Sequence, residues 1–208
     1  ASFQEFRTTE QIAKEMDKLG IPYRRFDPTG LIAEIKGGKP GKTIALRADI
    51  DALSITEKTG LPFASKNEGF MHACGHDTHA AMLVGAAKVL MQVKDQLCGT
   101  VKLLFQPAEE VGRGAKAVIA QHGMDGVDFA FGIHIGSQME VGTISMMAGA
   151  SAAATDRFVV KVIGKASHGA RPEQGVDATV AASAIVMNLQ PVVSREVAAT
   201  TPLVVTVG

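Results

Sequence analysis

At 208 residues, with 46% hydrophobic and 20% charged side chains and zero formal net charge, the chain has the composition of a globular protein, not a disordered one. No basic stripe or aromatic platform points to nucleic acid, and the longest apolar-leaning run, Ala80 to Met91, is broken by Lys88 and too short for a bilayer. No signal peptide opens the chain and two cysteines make no disulfide framework, so a free-thiol, cytoplasmic setting is expected, without nucleic-acid or membrane partners.

In chain order, Thr8 to Leu19 is predicted helical, with Thr8 and Gln11 as a capping box, Ile12, Met16 and Leu19 on one stripe and Gly20 as the stop. Strands are predicted at Leu31–Ile35 and Thr43–Arg47, separated by the turn-rich 37–41. Asp77 is expected to cap a helix running to about Val93. A strand at Val101–Phe105, a helix at Gly114–Gln121 and a strand at Phe129–Ile135 follow. This alternation predicts an α/β domain over residues 1–148, with helices flanking a largely parallel sheet. The small residues of 148–154 read as a hinge. Beyond it, a strand at Arg157–Ile163, a helix at Asp177–Leu189 and a strand at Leu203–Val207 predict the start of a second, α+β domain over 155–208.

The chemistry concentrates in Met71-His72-Ala73-Cys74-Gly75-His76-Asp77-Thr78-His79, which holds three of the six histidines and one of the two cysteines. Thiolate, imidazole and carboxylate donors together describe a transition-metal site. Cys74 and His76 diverge on a helix but can converge on a loop hinged at Gly75. Asp77, His72 and His79 are read as supporting residues or a cap, not as ligands. Glu109 and Glu110 follow an apolar strand and Pro107; adjacent side chains leave the backbone in different directions, so one can ligate while the other handles protons. His134 in an apolar strand is ordinarily a core residue, and the neighbouring signals favour a ligand. Arg47-Ala48-Asp49-Ile50-Asp51 places two carboxylates at a strand end, and Ser167-His168-Gly169-Ala170-Arg171 puts a His and an Arg on a loop.

Four segments in order, Arg47–Leu53, His72–Asp77, Gln106–Glu110 and Gly132–His134, resemble the motifs of the M20 metallopeptidases. The branch they are most similar to is the amidohydrolases: hippurate hydrolase, auxin-conjugate hydrolases and bacterial N-acyl-amino-acid amidohydrolases. The resemblance implies two divalent ions (zinc, manganese, nickel or cobalt), with Cys74 bridging and His76, Glu110 and His134 as further ligands. It implies Glu109 as general acid/base and Asp49 as a supporting acid. It also implies that His168, on a satellite dimerisation domain, steadies the oxyanion in the partner's site of a homodimer. The substrate class implied is an N-acyl amino acid cleaved at its amide bond. Ser54 stands where the family usually has Pro, and the chain resembles roughly half of a family member, without the last metal-binding His, so the chain alone is expected to be inactive. Alternatives are an M20-type dipeptidase, an N-acetyl-amine deacetylase, a metal- or redox-sensing module built on Cys74, or a dimerisation module. The second acid, Glu109, discriminates against the sensor, which has no use for a proton carrier beside Glu110.

Overall fold

The computed structural model describes residues 1–149 and 154–208, which divide into two compact units, Ala1–Met139 and Glu140–Gly208. Of the expected hinge, residues 150–153 lie outside the described residues.

The first unit is a five-stranded sheet in the order β1-β2-β4-β3-β5. Its strands are β1 (Tyr23–Arg25), β2 (Leu31–Lys36), β3 (Lys39–Asp49), β4 (Cys98–Gln106) and β5 (Phe129–Gly132). β3 pairs in parallel with β4 and β5, while β2 is antiparallel to both β1 and β4, so four of the five strands point one way. Successive side chains of a strand point to opposite faces, so the two faces of β2 and β4 pack against different elements, while β5 at the edge is exposed. Leu31, Ala33, Ile35, Ala48, Leu103 and Phe105 face α1 (Phe6–Leu19) and α2 (His76–Gln92). Leu104 and Ile32, pointing the other way, pack with Phe26 and Val118 of α3 (Gly114–Ala120). Met16, Leu31, Leu103 and Phe105 are fully buried, each contributing about 1.5–3 kcal/mol. No helix among the described residues is long and apolar enough to cross a membrane.

Several local expectations are corrected. The first helix begins at Phe6, and no side-chain cap forms at Thr8. Thr9 instead uses its hydroxyl to accept the Gly30 N–H (2.9 Å), and the Glu5 carboxylate is engaged elsewhere. Gly75, not Asp77, is the N-cap of α2; Asp77 sits inside the first turn and accepts only from Thr78 N–H (3.0 Å). β5 ends at Gly132, opposite Arg47, so His134 follows the strand; beyond it, the Ile135 N–H leaves the ladder for the ring of His79.

In the second unit α4 (Ala178–Pro191) forms where predicted, with the Asp177 carboxylate accepting from Thr179 and Val180 N–H at 2.9 and 3.0 Å. Neither Arg157–Ile163 nor Leu203–Val207 is a strand, because neither finds a strand neighbour among the described residues, and alternation alone cannot complete a ladder. A single antiparallel bridge, Lys165 to Val176, closes the loop that carries His168.

Candidate metal centre

The three parallel strands β3, β4 and β5 end on the same side of the sheet, where open α/β sheets gather their sites. Asp49 is the last residue of β3, Glu109 and Glu110 follow β4, and His134 follows β5. α2 completes the ring. Its buried stripe of Ala80, Leu83 and Ala87 continues at the N-terminal end as His76 and His79, so the face that anchors the helix also aims its imidazoles. Gly75 makes this possible: its φ of 84° is left-handed, and a Cβ there would overlap the side chain of Ile135.

The hydrogen bonds specify which ring nitrogens are free. His79 Nε2 accepts from Ile135 N–H (3.0 Å), so its Nδ1 carries the proton and donates to Asp49 Oδ1 at 2.6 Å. Both nitrogens are engaged, and His79 cannot also ligate, although it lies close enough to Asp49 and His76 to be counted with them. His134 donates through Nδ1 to the Ile135 carbonyl (2.7 Å), leaving the Nε2 lone pair to accept from the Cys74 thiol at 3.3 Å. His76, fully buried, donates through Nδ1 to Asp51 Oδ1 (3.3 Å). Its Nε2 has no hydrogen-bond partner, nor has Glu110 Oε1, 3.7 Å away. Asp49 Oδ2 at 3.6 Å and Glu109 Oε2 at 4.0 Å face the same nitrogen. A buried ring nitrogen facing three carboxylates without a hydrogen bond calls for positive charge between them, which a bound cation supplies. The residues therefore fit a metal. Cys74, His76 and His134 form one group with ligand atoms mutually within 4.8 Å, and His76, Glu109 and Glu110 another.

The electrostatics agree. Burial, with Glu110, Glu109 and Asp49 nearby, pushes the Cys74 thiol up to about 11. Such a thiol is inert until a cation reverses the local field, the opposite of the lowered value a redox sensor needs. Burial alone would raise Asp49, but the hydrogen bond from His79 and the charge of Arg47 outweigh it and hold the carboxyl below the usual range. Burial lowers His72, whose Nδ1 finds no partner.

The two adjacent glutamates differ in exposure. The side chain of Glu109 is 41% exposed and that of Glu110 19%. Asp51, one of two carboxylates noted at the strand end, emerges as a connector. Its Oδ1 accepts from His76 Nδ1–H, and its Oδ2 accepts from Glu110 N–H (3.1 Å) and Ser2 hydroxyl (2.7 Å). Arg47 joins two motifs, donating to Asp49 (2.7 Å) and to Gln106 (2.9 Å). The sequence signal for Asp51 was its two-residue spacing from Asp49 at a strand end. His168 lies in the second unit, exposed, its Nδ1 accepting from Ala170 N–H at 3.2 Å.

A model of the Peptidase family M20/M25/M40 matches residues 45–205. Over 208 residues the chain is 48% identical to an N-acetyl-L-cysteine deacetylase of Bacillus subtilis (strain 168), covering 100% of this chain and 50% of that protein. It is 44% identical to an N-acyl-L-amino acid amidohydrolase of Geobacillus stearothermophilus, covering 99% of this chain and 56% of the relative. A solved Bacillus subtilis structure, the YXEP protein, a dinuclear metal binding peptidase from the M20 family, superposes with a TM-score of 0.68 at 48% identity, over 70% of this chain and 42% of its own. The chain spans about half the length of the curated relatives it matches.

Proposed function

We propose, from the premise that this chain belongs to the M20/M25/M40 peptidase family, that it carries the metal-binding half of an amidohydrolase that cleaves the amide bond of N-acyl amino acids. The observation that carries this reading is the bare, buried Nε2 of His76 facing Asp49, Glu109 and Glu110. Cys74, His76, Glu110 and His134 would hold two divalent ions, zinc, manganese, nickel or cobalt. When bound, such ions supply Lewis acidity to the substrate carbonyl and to the attacking water.

This chain's residues do the rest. Glu109, open to solvent and not engaged by another protein group among the described hydrogen bonds, takes a proton from the water that adds to the amide carbon. As the carbon–nitrogen bond breaks, Glu109 passes that proton to the leaving amine, giving a carboxylic acid and an amino acid. Asp51 and Asp49 keep His76 and His79 in fixed tautomers. Ala170 N–H occupies Nδ1 of His168, so the neutral ring presents Nε2–H, the form that can donate to a developing oxyanion. By resemblance to the family, His168, on a satellite domain over residues 155–208, would serve the partner's site in a homodimer.

The test uses a full-length protein carrying this chain. Metal analysis is expected to find two ions per chain, and hydrolysis is expected of N-acetyl and longer N-acyl amino acids. Dipeptides cleaved in preference would reassign the substrate, and a metal-free, inactive protein would end the reading.

A further inference from the structure

Glu5 is a buried carboxylate, 4% exposed, that belongs to none of the ligand groups. Its Oε1 accepts from Phe3 N–H and from Ala108 N–H, both at 3.0 Å, and its Oε2 accepts from the Thr29 hydroxyl at 2.5 Å. Burying a carboxylate is costly unless such donors surround it. Helix capping does not account for it, because Glu5 makes no side-chain cap at the start of α1.

Its partner Ala108 is unusual in its own right. It is fully buried and has a φ of 50°, a left-handed conformation that costs a residue with a Cβ about 1–2 kcal/mol. Ala108 immediately precedes Glu109 and Glu110, so its backbone dihedrals set the direction in which both side chains leave. The turn is pinned at three points. Ala108 N–H is held by Glu5 (3.0 Å), Ala108 carbonyl accepts from Gly114 N–H (2.9 Å), and Glu110 N–H is held by Asp51 (3.1 Å). Gly114 is pressed so closely on the Pro107 carbonyl that a Cβ would overlap it.

We propose that Glu5 is a positioning residue: by holding Ala108 in its left-handed turn it aims Glu109 and Glu110 at His76. This rests on the reading of those two glutamates as proton carrier and ligand. Removing the acceptor leaves the Ala108 N–H buried and unbonded, and the turn relaxes toward ordinary φ. A shift of about 1 Å in a reacting group can cost about 100-fold in turnover.

The experiment compares Glu5→Gln, Glu5→Leu and Glu5→Asp in a full-length protein carrying this chain, well below their melting temperatures. Gln retains a carbonyl for the two N–H donors, and the Thr29 hydroxyl can reverse to accept from its amide. Leu fills the space with no acceptor. Asp keeps the charge but is a methylene short, and stands in for Leu if Leu does not fold. Cobalt(II) affinity is read by absorption titration, and kcat and KM with an N-acetyl amino acid. The expected result is Gln within about threefold of wild type. Leu and Asp are expected to lose about tenfold or more in both cobalt affinity and kcat, with KM within about twofold. Leu and Asp variants that melt earlier but bind cobalt and turn over normally would overturn the proposal, reducing Glu5 to a stability element. A wild type that binds cobalt and hydrolyses no N-acyl amino acid would overturn the functional reading alone, the cobalt ratio still deciding Glu5. No cobalt binding by wild type would overturn both.

Discussion

The sulfur of Cys74 stands 3.3 Å from Nε2 of His134, across 60 positions of sequence. The pairing has a pH consequence. With Nδ1 of His134 committed to a carbonyl, Nε2 has its lone pair ready for a metal, whereas the thiol, pushed up to about 11, still holds its proton near neutrality. Metal must displace that proton, so protons compete with metal and affinity rises with pH. Between pH 6 and 8 the Cys74 contribution is about tenfold per unit, persisting until pH approaches the thiol's own value of about 11. Competition titrations with zinc at three pH values measure the slope. Cys74→Ser is expected to bind more weakly with a slope shallower by about one proton, and an unchanged slope would remove the thiolate from the site.

The glutamates separate in a second measurement. Glu110 turns a buried, unpartnered oxygen on His76, and Glu109 stands at the open side. Glu109→Gln is expected to keep its full metal content and lose turnover by about 100-fold or more, in line with removal of a general acid/base. Glu110→Gln is expected to lower metal occupancy as well. Equal metal loss in both variants would contradict the division.

How far these features could be read beforehand depended on their range in sequence. The Cys-Gly-His segment, the Glu doublet and the lone His134 announced themselves because ligand chemistry is local in residue type, and apolar runs announced β2 to β5, while the three-residue β1 was not foreseen. Direction was another matter: β2 runs antiparallel because its partner is β4, more than sixty residues on, which no local pattern encodes. The strands expected at Arg157–Ile163 and Leu203–Val207 had the alternation but no neighbour to pair with. Asp51, His79 and Glu5 act through partners 25, 30 and 103 positions away; His79 was legible as a supporting residue and Asp51 as a strand-end carboxylate, but no local pattern named their partners, and Glu5 carried no signal at all. The capping expectations at Thr8 and Asp77 failed for a related reason. The termini of α1 and α2 are fixed by what Glu5 and His76 must reach, which overrides propensity.

Asp49 supplies a stability prediction. Its carboxylate accepts from His79 on one oxygen and from Arg47 on the other, and Asn can satisfy only one of these donors. Arg47 is 26% exposed and partly hydrated, so Asp49→Asn is expected to cost about 1–3 kcal/mol at pH 7. The folded carboxyl lies below its ordinary value of 3.8, so its contribution is complete above that pH and is lost as pH falls through the lower, folded value. Urea midpoints at pH 7 and pH 3 are expected to show the gap between wild type and variant narrowing on the acid side. A gap that widens there would reverse the sign assigned to Asp49.

The last prediction concerns the second unit. Ala170 N–H holds Nδ1 of His168, so Nε2–H points outward from an exposed loop closed by the Lys165–Val176 bridge, a donor with no partner among the described hydrogen bonds. If that donor serves the neighbouring subunit's oxyanion, two inactive proteins should complement each other. In a full-length protein carrying this chain, His168→Ala is expected to cut turnover with metal content intact, since no ligand is touched. Glu109→Gln is inactive for a different reason. When the two are mixed and allowed to exchange subunits, each mixed dimer holds one site with an intact Glu109 that faces an intact His168 from its partner. Random exchange at equal concentrations makes half of the dimers mixed, each with one competent site of two, so about one quarter of wild-type activity is expected to return. Exchange is followed independently by a fluorescent label on each variant. Full exchange without recovery would place His168 in its own subunit's site or outside catalysis.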